Sequence, residues 1–583
     1  MNNGKENLKS GFARLCERLF SEKEISGIGR IGTMKLLKGN AAKILNFIGN
    51  LFSYTSTRAY GFFLLAFGFS SLFMQLAQHY FVAEYRTTAY SLIIGAVITL
   101  LSVPFLIFDK PLALAMQDNL ITDYLFFEFL LIRRAHRNYN GIKIPHLAAI
   151  LFGIALSSLT FVFPLHYIVI FSILFILAIF ALITPEFSMI ITLLVLPYVN
   201  FFAPYEDIVY IVLSAITVFS FLAKVLVGKR VYNLDIYSIL IFVMTVFIII
   251  SGSLGENASL KKSFVICSLL FASIAVSNLI VNRRIADCAV KAIVFSSIPV
   301  TVLSVVEFII EMPDRIDNPF SDGVSVFFSF PMALSAFLTV TAFLSLTLFF
   351  EKKLKYKKVF YFSVSVIEFV VLIMLMQPSV WLSIILASAA GMILIYKKIP
   401  YDLLFVISFV PIVLLFIPLR ILDTVADIFG IIPSFTEKIE GYSKALEIFG
   451  ENIALGVGRG ECAVLNTLLG VGFEFGIIVL AIFLLILLLR FRHLFYCRHY
   501  IRNSLTYTST NTTTVALVAL ISLGFDTYLF ADASVLLLFS AIFAIGTSTI
   551  RIARKEYNDR IEYYGDSRSS ESSAVDVSIS KNF

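Results

Sequence analysis

The sequence predicts an all-α, polytopic membrane protein with about sixteen transmembrane helices, and three observations predict it. Of 583 residues, 59% are hydrophobic and only 15% are charged, against roughly 25% charged in an ordinary soluble protein. Apolar runs of bilayer length recur along most of the chain; a hydrocarbon core about 30 Å thick needs ~20 helical residues. The Lys and Arg residues collect between alternate pairs of those runs. No water-soluble fold hides so much apolar surface behind so few charges. A soluble single domain, a disordered chain and a nucleic-acid-binding protein are therefore excluded. The formal charge of +7 needs no nucleic-acid partner, because membrane proteins keep excess cations in their cytoplasmic loops.

Residues 1–59 form a cytoplasmic basic region. Arg14, Arg18, Lys35, Lys38 and Lys43 are interspersed there with Leu, Ile and Phe, the pattern of amphipathic helices resting on an anionic leaflet. This region lacks the short apolar core and cleavage site of a secretory signal, so the first span is expected to act as an uncleaved insertion signal. The multi-pass domain covers 60–550, with spans expected at 60–82, 88–108, 145–163, 165–184, 186–202, 207–227, 234–252, 261–281, 286–310, 330–350, 359–376, 379–395, 402–420, 472–489, 513–530 and 533–549. The pairs flanking Pro164 and Thr184 are joined tightly enough for either to be a re-entrant hairpin. With both termini cytoplasmic, 36 of the 46 Lys and Arg residues fall in inner segments, eight in outer loops and two, Lys224 and Lys291, inside spans. One missed span would invert every later loop and spoil this segregation, so N-in, C-in topology is expected. Residues 551–583, rich in Ser, Asp and Arg, read as a disordered cytoplasmic tail.

Two outer loops are long. One, near 311–329, carries Asp314, Arg315, Asp317 and Asp322; the larger, near 421–471, carries Glu437, Lys438, Glu440, Lys444, Glu447, Arg459 and Glu461 among other charges. Long loops between spans commonly carry function.

Several motifs point to nothing specific. Gly27, Gly29 and Gly32 spell a GxGxxG pattern with no strand before it, which reads as a flexible joint. The five cysteines are scattered without a CxxC pair, and the six histidines have no carboxylate or cysteine at ligand spacing, so no disulfide framework, metal site or cofactor is expected. Glu307 and Glu368 lie within spans, and Asp526 and Asp532 flank the turn between the last two. Such carboxylates are either bonded to a neighbouring helix or part of a proton or ion pathway.

The stretch Gly456-Val457-Gly458-Arg459-Gly460, then Asn466, then Glu474-Phe475-Gly476-Ile477-Ile478 leading into a leucine-rich span, is the most informative. It resembles the signature of the bacterial O-antigen ligase / O-antigen polymerase superfamily, in which a glycine turn closes the large outer loop, a His-Asn pair follows, and an E-x-G-I element enters the next helix. Asn466 and Glu474 are eight residues apart, as the family's Asn and Glu are. Gln377-Pro378-Ser379-Val380-Trp381-Leu382 stands where the family has Ser-Arg-x-x-Trp-Leu, and Ser329-Phe330-Pro331-Met332 where it has Gly-Asn-Pro-Asn. The O-antigen ligase-like core is about 145–550.

The resemblance implies a GT-C-like glycosyltransferase architecture in a bacterial plasma membrane. The donor would be a polyprenyl-diphosphate-linked glycan, transferred at the outer face during cell-surface polysaccharide assembly, and envelope-glycan assembly proteins would be partners. The chemistry is displacement at an anomeric carbon, which needs a base for the acceptor hydroxyl and cations for the departing diphosphate. Here the chain departs from the family. Leu465 occupies the family's His position and Pro378 its Arg position, while Phe330 and Met332 replace its asparagines. Leucine accepts no proton and proline grips no phosphate. Glu461 and Glu474 remain as catalytic candidates, and Arg315, Lys438, Lys444, Arg459 and Asn466 as substrate-binding candidates. Three readings stay open: a transferase with a rewired site, an inactive paralogue that binds glycan or scaffolds a partner, and a secondary transporter or flippase.

Overall fold

The computed structural model describes residues 23–25, 47–81, 89–134, 144–396 and 466–579, apart from short gaps within those ranges, together with scattered residues of 440–458. The chain is overwhelmingly helical. Among the described residues, nine helices are long and apolar enough to cross a membrane, and four shorter apolar helices accompany them. The expected span at 402–420 lies outside the described residues.

The chain divides into two compact units. One comprises Ser26–Ser188 and Phe219–Val231, and its main helices are α1 (Thr57–Phe81), α2 (Ala89–Ile107), α3 (His146–Ser158) and α4 (Leu165–Ile183). Apolar side chains gain little by meeting one another in lipid, so helices there associate through close backbone approach and interhelical hydrogen bonds. Gly68 of α1 faces Gly95 of α2, where a Cβ on Gly68 would come within 3.1 Å of the Gly95 carbonyl. Ser70 donates to Ser157 of α3 at 2.6 Å. Only 11% of the apolar window of α4 is buried; Phe171, Leu174 and Phe175 face outward, as a lipid-facing surface requires.

The second unit comprises Met1–Ile25, Met189–Val218 and Tyr232–Phe583. It takes most of α5 (Pro185–Val195) and α6 (Glu206–Leu226). It also holds α7 (Ile236–Gly252), α8 (Asn257–Leu279), α9 (Arg283–Asp317), α10 (Pro331–Glu351), α11 (Lys355–Met374), α12 (Pro378–Tyr396), α13 (Thr467–Tyr496), α14 (Tyr507–Leu523) and α15 (Ala533–Ile579). Its centre is α10 and α15, whose apolar windows are 83% and 94% buried. Around them α8 and α14 pack on α15, α11 and α14 on α10, α12 on α14, and α7 on α8 and α13. The backbone of α15 continues to Ile579, through the Ser- and Asp-rich tail sequence.

Three local features depart from the sequence reading. Strands β1 (Lys23–Ile25) and β2 (Tyr232–Leu234) pair antiparallel, with Glu24 opposite Asn233, so a small ribbon accompanies the helices. Helix α14 begins at Tyr507, six residues before the expected 513. Its Tyr-Thr-Ser-Thr-Asn-Thr-Thr-Thr start looks too polar for a span, but Thr510, Thr513 and Thr514 turn their hydroxyls back onto the carbonyls of Thr506, Ser509 and Thr510 at 2.8–2.9 Å. That back-bonding hides their polarity within the helix. Helix α13 begins at Thr467 rather than 472 because Asn466 caps it: its Oδ1 accepts the N–H groups of Leu468 (2.9 Å) and Leu469 (3.1 Å), satisfying donors that every helix start leaves open.

Candidate functional site

Helix α13 is broken at Gly476, about two and a half turns after its start. Gly476, at φ 88° and ψ 168°, adopts a backbone open essentially to glycine alone. The break frees peptide groups that the helix would otherwise pair, and in a membrane each needs another partner. The turn before the helix supplies them. The Val457 N–H donates to the Phe473 carbonyl at 3.0 Å, the Gly458 N–H to the Glu474 carbonyl at 2.9 Å, and the Ile477 N–H to the Ile453 carbonyl at 3.0 Å. Ser251, at the end of α7, adds its hydroxyl to the Glu474 carbonyl at 2.7 Å.

Two glycines make this approach possible. A Cβ on Gly456 would stand 2.5 Å from the Glu474 carbonyl oxygen, and one on Gly476 would overlap the Ala454 carbonyl. Gly456 and Gly458 also have positive φ, 73° and 93°. The glycine turn and the E-x-G element, 18 residues apart from Gly458 to Gly476, therefore form one backbone-to-backbone joint. Phe473 closes it on the apolar side, packing on Tyr442, Phe449 and Val457.

The Glu474 side chain is only 2% exposed and accepts the Tyr528 hydroxyl. Tyr528 comes from the turn between α14 and α15, which is tied to the start of α13. The Thr467 N–H donates to the Gly524 carbonyl at 2.7 Å, the Thr467 hydroxyl to Thr527 at 2.6 Å, and the Leu529 N–H to the Thr467 hydroxyl at 2.9 Å. Asn466 Nδ2 donates to the Phe525 carbonyl at 2.8 Å, so both ends of its amide are occupied by backbone.

Four residues beyond Tyr528 lies buried Asp532. It caps α15 by accepting the Ser534 N–H at 2.8 Å, and meets Asn200 Nδ2 at 3.4 Å. Tyr210 in turn donates to Asn200 Oδ1 at 3.1 Å. The other pair of signature-like stretches also meets: Ser379, at the start of α12, donates to Met332 Sδ at 3.5 Å, at the start of α10.

Of the candidates named from the sequence, Glu474 and Asn466 stand in this joint. Lys438, Lys444, Arg459, Glu461 and Leu465 lie outside the described residues. Arg315 falls in the last two turns of α9 and Pro378 opens α12; their side chains are not among those described. Glu368 is fully buried, accepting the hydroxyls of Ser297 on α9 and, at 3.3 Å, Ser345 on α10, the arrangement of a carboxyl bonded to neighbouring helices. Tyr528, Ser251 and Asn200 were not singled out by the sequence, since each is an ordinary residue of a span or turn whose partner is hundreds of residues away or on another helix.

Fold and joint together define a multi-pass α-helical membrane protein with a discontinuous helix sealed by its own preceding loop. Compared with known proteins, the chain matches no family model and no curated protein.

Proposed function

We propose that this protein belongs functionally with the O-antigen ligase and polymerase type and binds a polyprenyl-diphosphate-linked glycan at the outer face of a bacterial plasma membrane, as a component of surface-glycan assembly. The observation that carries the reading is the joint itself. The two halves of the signature-like sequence, Gly456–Gly458 and Glu474–Gly476, make their hydrogen bonds to each other, so the motif is a structural unit and not two chance glycine clusters. On the expected sixteen-span, N-in, C-in topology this joint faces outward, where lipid-linked donor is presented. The cations of the large outer loop, Lys438, Lys444 and Arg459, then supply the charge that a diphosphate requires.

Binding is favoured over transfer because Leu465 and Pro378 remove the base and the guanidinium of the family's chemistry. Glu474 is committed to Tyr528 and buried, which leaves it poorly placed to take a proton from an acceptor sugar. The test uses full-length protein in nanodiscs, supplied with native lipid-linked oligosaccharides and followed for donor binding, donor loss and product length by mass spectrometry. Saturable donor binding without turnover is expected, weakened at least several-fold by combining Lys438→Ala and Arg459→Ala. Turnover by the wild type would make the protein a transferase with a rewired site. Unchanged donor affinity in the double variant would remove the outer-loop cations from the site.

A further inference from the structure

The turn between α10 and α11 concentrates charge of one sign. Lys352, Lys353, Lys355, Lys357 and Lys358 are five lysines within seven residues, and no Asp or Glu follows Glu351 until Glu368. Lys352 and Lys353 lie outside the described residues; Lys355 is exposed, and Lys357 and Lys358 are half-buried. Among the described residues none of these three joins an ion pair. They fall within the first four residues of α11, where the helix dipole disfavours cations. That first turn has no acidic residue, and the capping position is Leu354, whose side chain accepts nothing. Nothing in the start of α11 itself offsets the repulsion among these charges.

The charged patch runs directly into an apolar face. Val359, Val366, Val370 and Ile373 follow one another at intervals of seven, four and three residues, which places them on one side of α11, and all four are exposed. Lys355 stands on that same side, four residues before Val359. The opposite side, with Tyr361, Ser365, Glu368 and Leu372, is buried. Tyr356, at the head of the exposed side, is 66% exposed. In a membrane such a stripe meets acyl chains, and an aromatic ring with a polar tip marks the level at which headgroups begin. The long apolar stem of lysine lets its ammonium reach from that stripe to the headgroup layer. Lys358 also lies over the Phe349 ring of α10, 5.9 Å from its centroid, so the ends of both helices contribute to the patch.

We propose that the start of α11 binds an acidic phospholipid, its phosphate held by Lys355, Lys357 and Lys358 and its acyl chains lying along the stripe from Val359 to Ile373. Lysine clusters beside a membrane helix attract anionic headgroups, each cation near the surface adding to the attraction. The apolar stripe decides which anion it is. A soluble phosphate or an acidic peptide would use the charge and leave the stripe unused, whereas a lipid uses both. The site takes a lipid of the surrounding bilayer and is independent of the glycan reading.

Trp381 is the single tryptophan of the chain, so full-length protein carrying Trp381→Phe and Tyr356→Trp reports on the patch through one fluorophore. It is reconstituted in mixed phosphatidylcholine and phosphatidylglycerol bilayers, with bromine on the acyl chains of one lipid or the other, because a brominated chain quenches a tryptophan that it touches. At equal mole fraction, brominated phosphatidylglycerol is expected to quench several-fold more effectively than brominated phosphatidylcholine. Lys355→Gln, Lys357→Gln and Lys358→Gln together should abolish that preference. Neutralising three exposed cations of other elements, Arg498→Gln, Arg502→Gln and Lys555→Gln, should leave it in place. Equal quenching by the two lipids with the lysines intact would overturn the site. An equal loss in the control variant would overturn it too, by reducing the effect to net charge. Loss of the preference on adding inorganic phosphate at matched ionic strength would reassign the lysines to a soluble anion.

Discussion

Tyr528 and Glu474 form the contact on which the outer joint turns. A buried carboxyl is sensitive to each hydroxyl that donates to it, because a lost bond no longer offsets the desolvation of both groups. Tyr528→Phe removes the donor and almost nothing else. It is expected to destabilise the protein by about 1–3 kcal/mol, read as a lower unfolding temperature in nanodiscs. Glu474→Gln beside it should recover part of the loss in the double variant, since an amide carries no charge to strand. An additive double variant would show that the two side chains do not interact. The carboxyl itself was legible in the sequence through its motif; its partner was not, because a tyrosine 54 positions later carries no local mark of what it touches.

At the scale of elements, the break in α13 is the distinctive device. Hydropathy sees an unbroken leucine-rich run and places one span there. The glycine spacing signals only that a turn precedes the span and a glycine sits inside it. What the structure adds is that each half completes the other: the turn gives Val457 and Gly458 N–H groups to carbonyls above the break and takes the Ile477 N–H below it. Gly476→Ala should therefore be severe. Alanine meets a backbone region that is nearly closed to it and a carbonyl already in its place; a cost above about 2 kcal/mol is expected. Limited proteolysis provides the check, with faster cleavage within 453–458 in the variant than in the wild type. The polar start of α14 teaches the complementary lesson. A composition-based span begins six residues late there, because hydroxyls bonded to their own helix no longer behave as polar groups.

At the scale of the whole molecule, charge segregation along the chain sets the expected orientation. Ser253 stands exposed in the turn after α7, and Tyr356, 66% exposed, stands near the start of α11. In a background carrying Cys16→Ser and Cys462→Ser, a membrane-impermeant maleimide is expected to label Ser253→Cys in intact cells. Tyr356→Cys should react only after permeabilisation. The reverse pattern would invert the topology and place the glycine joint on the cytoplasmic side. The native Cys267, Cys288 and Cys497 are buried and should contribute little background.

By itself the sequence determined the class of molecule: apolar content, run length and cation segregation are sums over many residues, so they survive without coordinates. It also marked the glycines and Glu474, because a motif is local. Only the tertiary structure decided what those residues do. Asn466 proved to be a helix cap with its amide fully engaged, Glu368 a carboxyl held by two hydroxyls from neighbouring helices, and Arg490 a buried charge with open donors. The reason is physical. The cost of burying a polar group depends on whether a partner arrives from elsewhere in the chain, and the partners that do arrive, Phe525 and Ser297 among them, come from other elements that packing alone brings together.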